Sequence, residues 1–115
     1  MNLTLIDDWK ITIGKNVLIG SIVMLCTTGH LVHPKHRADG MYSFSVTIGN
    51  NVWIGANVVV LPGVTIEENS VIGAESVVTK DIPANVIAFG SPCKVYREIN
   101  EHDEEYYFKD RRFDD

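Results

Sequence analysis

An aliphatic residue returns at every sixth position between Thr47 and Pro83, and this spacing constrains the fold more than any other feature of the sequence. A six-residue period is neither the 3.6-residue period of an amphipathic helix nor the two-residue alternation of a half-buried strand. It is typical of hexapeptide repeats, in which the chain winds into a parallel β-helix of stacked coils. The aliphatic residues in phase are Ile48, Ile54, Val60, Ile66, Ile72 and Val78.

The residues between these positions suit short strands joined by tight corners. The three valines at 58–60 favour a strand, because β-branched side chains pack well on a pleated surface. Glycine and asparagine tolerate the backbone conformations of a corner, and the asparagines expected there are Asn50, Asn51, Asn57 and Asn69. We expect one aliphatic side chain of each hexad to point inward and residues three hexads apart to stack. A β-sandwich is the alternative, and it would give less regular spacing.

One long interruption divides the repeat. Ile13, Ile19 and Leu25 are in phase, but the gap of 23 residues from Leu25 to Ile48 is not a multiple of six. We therefore expect the chain to leave the coils after His30 and to carry a surface loop over residues 31–45. The predicted organisation is an all-β chain, with a β-helix over residues 1–83 and a C-terminal strand, short helix and tail over residues 84–115.

Length and charge narrow the class of protein further. A chain of 115 residues with 45% hydrophobic residues is expected to form one domain with a sizeable core. The net charge of −5 argues against nucleic acid as a partner, since phosphate binding requires a basic face. We recognise no signal peptide or membrane span, and two cysteines do not suggest a disulfide framework. A cytoplasmic protein without a membrane partner is the default expectation.

Three histidines and an aspartate lie close together in the sequence: His30, His33, His36 and Asp39. Imidazoles and a carboxylate suit zinc, but this spacing matches no recognised zinc pattern, so we expect no metal site. A second interpretation singles out His30, which follows Thr27-Thr28-Gly29 where the coil gives way to the loop. An imidazole held there could remove a proton from an attacking hydroxyl or amine. The third interpretation is a solvated loop histidine.

Longer motifs occur in combination along most of the chain. They are TTGHLVHPKHR, MYSFSVTIGNNVWIGANVVVLPGVTI, VIGAESVVTKDIPANVIAFGSPCKVYREI and YYFKD, between Asn2 and Asp110. With TGH before a loop, the NNVWIG turn and the GSPCKVYR exit, the chain resembles the hexapeptide-repeat acetyltransferases, most of all the maltose and galactoside O-acetyltransferases. The resemblance implies a left-handed parallel β-helix, a homotrimer with active sites between subunits, and acetyl-CoA as the acetyl donor.

The resemblance also implies roles for single residues. His30 matches the catalytic histidine of the family, the general base that deprotonates the acceptor hydroxyl. Trp53 and Ala56 match positions that line the acetyl and pantetheine channel. The family often has serine in place of Ala56, so that here only the backbone N–H would stabilise the oxyanion. Further matches to coenzyme contacts are Ala74, Thr79 and Lys80, and Lys94 and Arg97 match basic residues near the nucleotide phosphates.

Two more residues match positions that hold the acceptor sugar, namely Asp8 and Met41. A lone acid near the start of a chain is more often solvated, so that the two lines of reasoning give different expectations for Asp8. Family members also carry a helical segment and further coils ahead of the position that matches Asn2. We therefore expect a fragment, a shortened member, or a coil end that another chain covers.

Three functions follow as hypotheses. The first is an acetyl-CoA-dependent O-acetyltransferase in which His30 acts as base in a direct transfer, because neither cysteine has the adjacent base of a nucleophile. The second is a truncated, non-catalytic trimeric β-helix module that still binds CoA. The third is a metal-dependent enzyme of the γ-carbonic anhydrase type. That family takes ligand histidines from neighbouring coils, whereas this chain has no histidine between His36 and His102.

Overall fold

A computed structural model of the chain describes residues 3–6, 10–109 and 111–112. The chain winds as a left-handed parallel β-helix, so the fold expected from the six-residue period is confirmed. The strands of the coils are β1 Leu3–Ile6, β2 Ile11–Ile13, β3 Leu18–Ile19, β4 Val23–Cys26, β7 Val46–Ile48, β8 Trp53–Ile54, β9 Val59–Val60, β10 Thr65–Ile66, β11 Val71–Ile72, β12 Val77–Val78 and β13 Val86–Gly90.

Successive strands visit three sheets in turn. Sheet 1 has the order β1-β4-β9-β12, and sheet 2 has the order β10-β7-β2. Sheet 3 has the order β14-β13-β11-β8-β3, where β14 (Cys93–Glu98) is antiparallel to β13. Trp53 lies opposite Val71 and Val59 opposite Val77, so stacked residues are 18 apart. This offset is the three hexads predicted.

The core lies inside the three sheets. All six in-phase aliphatic side chains between Ile48 and Val78 are buried. A second side chain of each hexad, four places after the first, is buried as well, so each hexad contributes two inward residues rather than the one expected. These second positions are Val52, Val58, Val64, Ser70, Ser76 and Ile82.

The two serines in the core are satisfied by hydrogen bonds. Ser70 Oγ donates to the Pro83 carbonyl (2.6 Å) and accepts from the Val86 N–H. Ser76 Oγ donates to the Gly73 carbonyl (2.7 Å) and accepts from the Gly90 N–H. Each hydroxyl therefore replaces an aliphatic side chain without leaving a buried polar atom unpaired.

Residues at the corners of the coils adopt the left-handed backbone conformation. Asn51, Asn57 and Asn69 have φ values of 60°, 58° and 65°, as predicted for corner asparagines. Asn50 does not share this conformation. Its side-chain oxygen accepts from the Lys15 N–H (2.8 Å) and so joins two coils.

The excursion from the coils is a hairpin with a helical turn at its tip. Its elements are β5 Thr28–His30, α1 Pro34–Arg37 and β6 Met41–Ser43. The paired strands begin three residues before the loop predicted at 31–45, and His30 lies in a strand of the hairpin rather than in a coil. Ile13 lies opposite Ile48, 35 residues later, so this coil is 17 residues longer than the 18 of an ordinary one.

The C-terminal part begins within the same architecture. Strand β13, beyond the division predicted at residue 83, pairs in parallel with β11, and its Ala88 side chain is buried. The helix α2 (Glu101–Glu105) follows, and the tail forms a further antiparallel pair from β15 Tyr106–Phe108 and β16 Arg111–Arg112. The predicted short helix is therefore present.

Candidate active site

The hairpin places His30 at the edge where the chain passes from sheet 1 to sheet 2. His30 lies directly opposite Met41, and Thr28 lies opposite Ser43. Directly opposed residues of an antiparallel pair share a face, and the hydroxyl oxygens of Thr28 and Ser43 are 3.2 Å apart. Met41 is 52% exposed, and the His30 side chain is exposed as well. One accessible face therefore carries both residues.

A hydrogen bond orients the His30 ring. Its Nδ1 lies 2.8 Å from the backbone carbonyl oxygen of Arg37. A carbonyl oxygen only accepts, so a neutral ring in this contact has its proton on Nδ1 and a free lone pair on Nε2. The exposed imidazole therefore presents an acceptor nitrogen to the outside of the hairpin, which is the arrangement a general base requires.

Tyr42 supports the opposite face of the hairpin. Its side chain lies so close to Gly29 that a Cβ atom at that position would collide with two ring carbons and the hydroxyl oxygen. Tyr42 also contacts Phe44, with ring centroids 5.9 Å apart, and Phe44 packs on Gly63 in the following coil. The two aromatic rings therefore anchor the hairpin to the β-helix, and glycine at position 29 makes this packing possible.

Two of the predicted coenzyme residues lie at a different edge, where the chain passes from sheet 3 to sheet 1. Ala56 and Ala74 occupy equivalent corners of consecutive coils, and the Glu75 N–H donates to the Ala56 carbonyl (2.8 Å). The Ala56 N–H has no hydrogen-bond acceptor within the described residues. Trp53, on the outer face of sheet 3, is 54% exposed. These residues form an accessible surface away from His30.

The other predicted coenzyme residues are divided between two places. Thr79 and Lys80 are exposed at the corner from sheet 1 to sheet 2, the same edge that carries the His30 hairpin. Lys94 is exposed on β14, at the margin of sheet 3. One copy of the chain therefore distributes the predicted site over separate edges.

Arg97, also on β14, forms an ion pair with Asp103. Its guanidinium donates two hydrogen bonds to the Asp103 carboxylate, at 2.8 and 2.7 Å. These bonds and one from the Asn100 N–H hold the pKa of the Asp103 carboxyl well below its usual range. A phosphate at Arg97 would have to share the guanidinium with Asp103, which the sequence did not indicate.

Three remaining expectations concern Asp8, the cysteines and metals. Asp8 lies outside the described residues, so its predicted role is not addressed. Cys26 and Cys93 are buried, and burial raises the pKa of both thiols. The rings of His33 and His36 are 5.9 Å apart, and across the described ranges no three histidine, cysteine or acidic residues are arranged to hold a metal ion.

Two surface cavities are lined by residues other than the predicted site residues. One of about 390 Å³ follows the outer face of sheet 2, where Thr12, Thr47 and Thr65 stack. The other, of about 260 Å³, is lined by Ile22, Met24 and their neighbours in the next coil. The threonine spacing follows from the coil offsets, but nothing in the sequence marked Ile22, whose φ of 57° is unusual for a β-branched residue.

Comparison with known sequences identifies the repeat. Residues 45–80 match a family described as bacterial transferase hexapeptide (six repeats). A galactoside O-acetyltransferase of Escherichia coli (strain K12) is 64% identical over 110 residues, which cover 95% of this chain and 54% of that protein. The chain spans about half the length of the curated relatives it matches.

Comparison with solved structures agrees with the sequence match. A galactoside acetyltransferase in complex with coenzyme A has a TM-score of 0.94 and 63% identity, over 96% of this chain and 56% of that chain. A maltose O-acetyltransferase from Clostridium difficile 630 has a TM-score of 0.69 and 38% identity, over 87% of this chain and 65% of that chain.

Proposed function

Because this chain belongs to the hexapeptide-repeat acetyltransferases, we propose that it transfers an acetyl group from acetyl-CoA to a hydroxyl of a sugar or a similar acceptor. The observation that carries the proposal is the His30 imidazole, held through Nδ1 by the Arg37 carbonyl and open at Nε2. The galactoside and maltose O-acetyltransferases among its relatives support a sugar acceptor.

Each proposed step uses a group of the chain. Nε2 of His30 takes the proton of the acceptor hydroxyl while the oxygen attacks the thioester carbonyl carbon. The Ala56 N–H donates to the resulting oxyanion. When the C–S bond breaks, the imidazolium returns the proton to the departing sulfur, giving the acetyl ester and free CoA. No acyl-enzyme is needed, and the buried, protonated Cys26 and Cys93 suit this direct transfer.

The proposed base and the proposed oxyanion donor are separated in one copy of the chain. A site shared by two copies accounts for this separation. His30 and Ala56 lie on different edges of one β-helix, so a single copy does not bring base and oxyanion donor together. In a closed ring of identical chains, the edge with His30 meets a different edge of the neighbour at every interface. We propose a homotrimer whose sites combine the His30 hairpin of one chain with the Trp53 and Ala56 surface of the next.

The location of the protein stays a prediction from the sequence. Within the part of the chain that the structure describes, no helix is long and apolar enough to cross a bilayer.

The experiment that tests the function is acetyl-CoA turnover by the purified protein with a panel of sugars, measured as the free thiol released. The variant is His30→Ala, and His36→Ala is the matched control because it removes a neighbouring, exposed loop imidazole that forms no hydrogen bond within the described residues. We expect His30→Ala to lower kcat by about 10²–10⁴-fold, the usual contribution of a general base. Calorimetric titration with CoA should give a similar Kd for both variants.

Two results would contradict the proposal. Unchanged turnover in His30→Ala would remove this histidine from the chemistry. CoA binding without turnover on any sugar, in a protein that binds normally, would favour the non-catalytic module instead.

A further inference from the structure

Arg37 closes the loop that carries His30 at two points. Its backbone carbonyl accepts from His30 Nδ1, and its side-chain Nη2 donates to the Val32 carbonyl at 2.8 Å. Both contacts reach back across the loop to the strand end at residues 30–32. No other residue described in the hairpin forms a hydrogen bond to the His30 ring.

The other backbone hydrogen bonds of the loop, which include one from the Leu31 N–H to the Gly40 carbonyl (3.2 Å), do not use the Arg37 carbonyl. The helix α1 has four residues, and an isolated helix of this length is unstable in water. Its backbone bonds, from His36 N–H to the His33 carbonyl (3.0 Å) and from Gly40 N–H to the His36 carbonyl (2.7 Å), do not involve the Arg37 peptide oxygen. The orientation of that oxygen therefore depends on the backbone of α1 and on the anchor that the Arg37 side chain provides.

Charge does not account for the position of the Arg37 side chain. Within the described residues it forms no ion pair, although Asp39 is two residues away. Its hydrogen bond goes to a backbone carbonyl, which is a directional contact rather than neutralisation of an acid. The geometry is that of a clasp between the two ends of the loop.

We propose that the Arg37 guanidinium is a positioning group for His30: by binding the Val32 carbonyl it holds the Arg37 peptide so that its oxygen selects the Nδ1–H tautomer. This proposal rests on the proposed function for its kinetic consequence, but its structural consequence can be measured without turnover. An imidazole without this partner exchanges between its two neutral tautomers, and in the other tautomer Nε2 carries a proton and cannot act as base.

The test combines a spectroscopic and a kinetic measurement on three proteins. They are the wild type, Arg37→Met and, as the matched control, Lys35→Met, which removes a neighbouring cation whose side chain is exposed. Two-dimensional ¹H–¹⁵N spectra of labelled histidine, recorded at alkaline pH, report which ring nitrogen carries the proton. Backbone amide spectra show whether each variant is folded.

We expect the wild type and Lys35→Met to show His30 protonated at Nδ1, and Arg37→Met to show exchange with the Nε2–H tautomer. We also expect Arg37→Met to lower kcat about tenfold, the factor that corresponds to one lost hydrogen bond of moderate strength, with the KM for acetyl-CoA unchanged. If Arg37→Met does not fold, Arg37→Lys replaces it, with the same direction expected because lysine lacks the planar fork.

A folded Arg37→Met protein that keeps the Nδ1–H signal would overturn the proposal, as would a wild-type ring that is not protonated at Nδ1. If the wild type binds CoA but turns over no sugar, the proposed function fails while the tautomer measurement still decides the role of Arg37.

Discussion

At the scale of single residues, the corners of the β-helix depend on asparagine for two reasons. Asn16, Asn51, Asn69 and Asn85 all have left-handed backbone, with φ between 57° and 65°. Their side chains also form a ladder, in which each amide nitrogen donates to the next oxygen at 3.3, 3.1 and 2.7 Å. Asparagine tolerates this backbone better than other residues with a Cβ, so one residue type provides both the turn and the link between coils.

Substitution at Asn69 separates these two contributions. Asn69→Gly keeps the left-handed corner and loses two ladder hydrogen bonds, so we expect the free energy of unfolding to fall by about 1–2 kcal/mol. Asn69→Ala also strains the backbone and should lose about 1 kcal/mol more. Urea denaturation of both variants measures the difference. Equal losses would show that the corner conformation contributes nothing.

At the scale of elements, the sequence predicts the strands whose residues recur periodically. It does not predict the elements whose structure depends on a single local contact. The strands from Val46 to Val78 follow from the six-residue period, because only a coil of fixed length places each aliphatic residue inside. The excursion has no period. The lost register therefore shows where the excursion ends, but it does not predict that the excursion forms a hairpin. Its structure depends on the packing of Tyr42 against Gly29, which no local pattern reveals.

The candidate site likewise has one part that the sequence predicts and another part that it does not. His30 could be singled out as a candidate because TTGH stands where the repeat stops and matches the family's motif. Its hydrogen bond to the Arg37 carbonyl could not be predicted, because it depends on a four-residue helix that has no sequence pattern. The pairing of Arg97 with Asp103 was missed for a related reason. It joins a strand to the first turn of a helix, and the acidic residues at 101, 104 and 105 lie at similar distances along the sequence.

Helix α2 is expected to respond to acid because Asp103 closes its first turn. Asp103 accepts from Arg97 and from the Asn100 N–H, and its carboxyl has a lowered pKa in the folded state. The stabilisation is therefore complete above the usual carboxyl pKa of about 4 and is lost as the pH falls below it. We expect the protection factors of the amides in Glu101–Glu105, that is, their exchange rates relative to the intrinsic rates at the same pH, to fall below about pH 4. Asp103→Asn should remove this pH dependence, and Glu104→Gln should keep it.

At the scale of the whole molecule, one β-helix provides the components of the proposed site but not their assembly. The three sheets give it three edges, and the His30 hairpin occupies a different edge from Ala56 and Ala74. The coils are rigid, because their core positions are filled and their backbones are bonded to the coils on either side. A site built from two such edges therefore requires contact between copies rather than a conformational change within one.

Mixing two inactive variants tests this requirement. His30→Ala lacks the base, and Trp53→Ala removes an exposed ring from the opposing surface, so we expect each homogeneous protein to lose most of its turnover. If the chain forms the proposed homotrimer, refolding the two together at equal amounts gives mixed trimers. A site is then intact when the Trp53→Ala chain supplies His30 and the His30→Ala chain supplies Trp53. Random assembly gives this combination at about one site in four, so about a quarter of wild-type turnover should return. A mixture no more active than its components would place both residues in a site formed by a single chain.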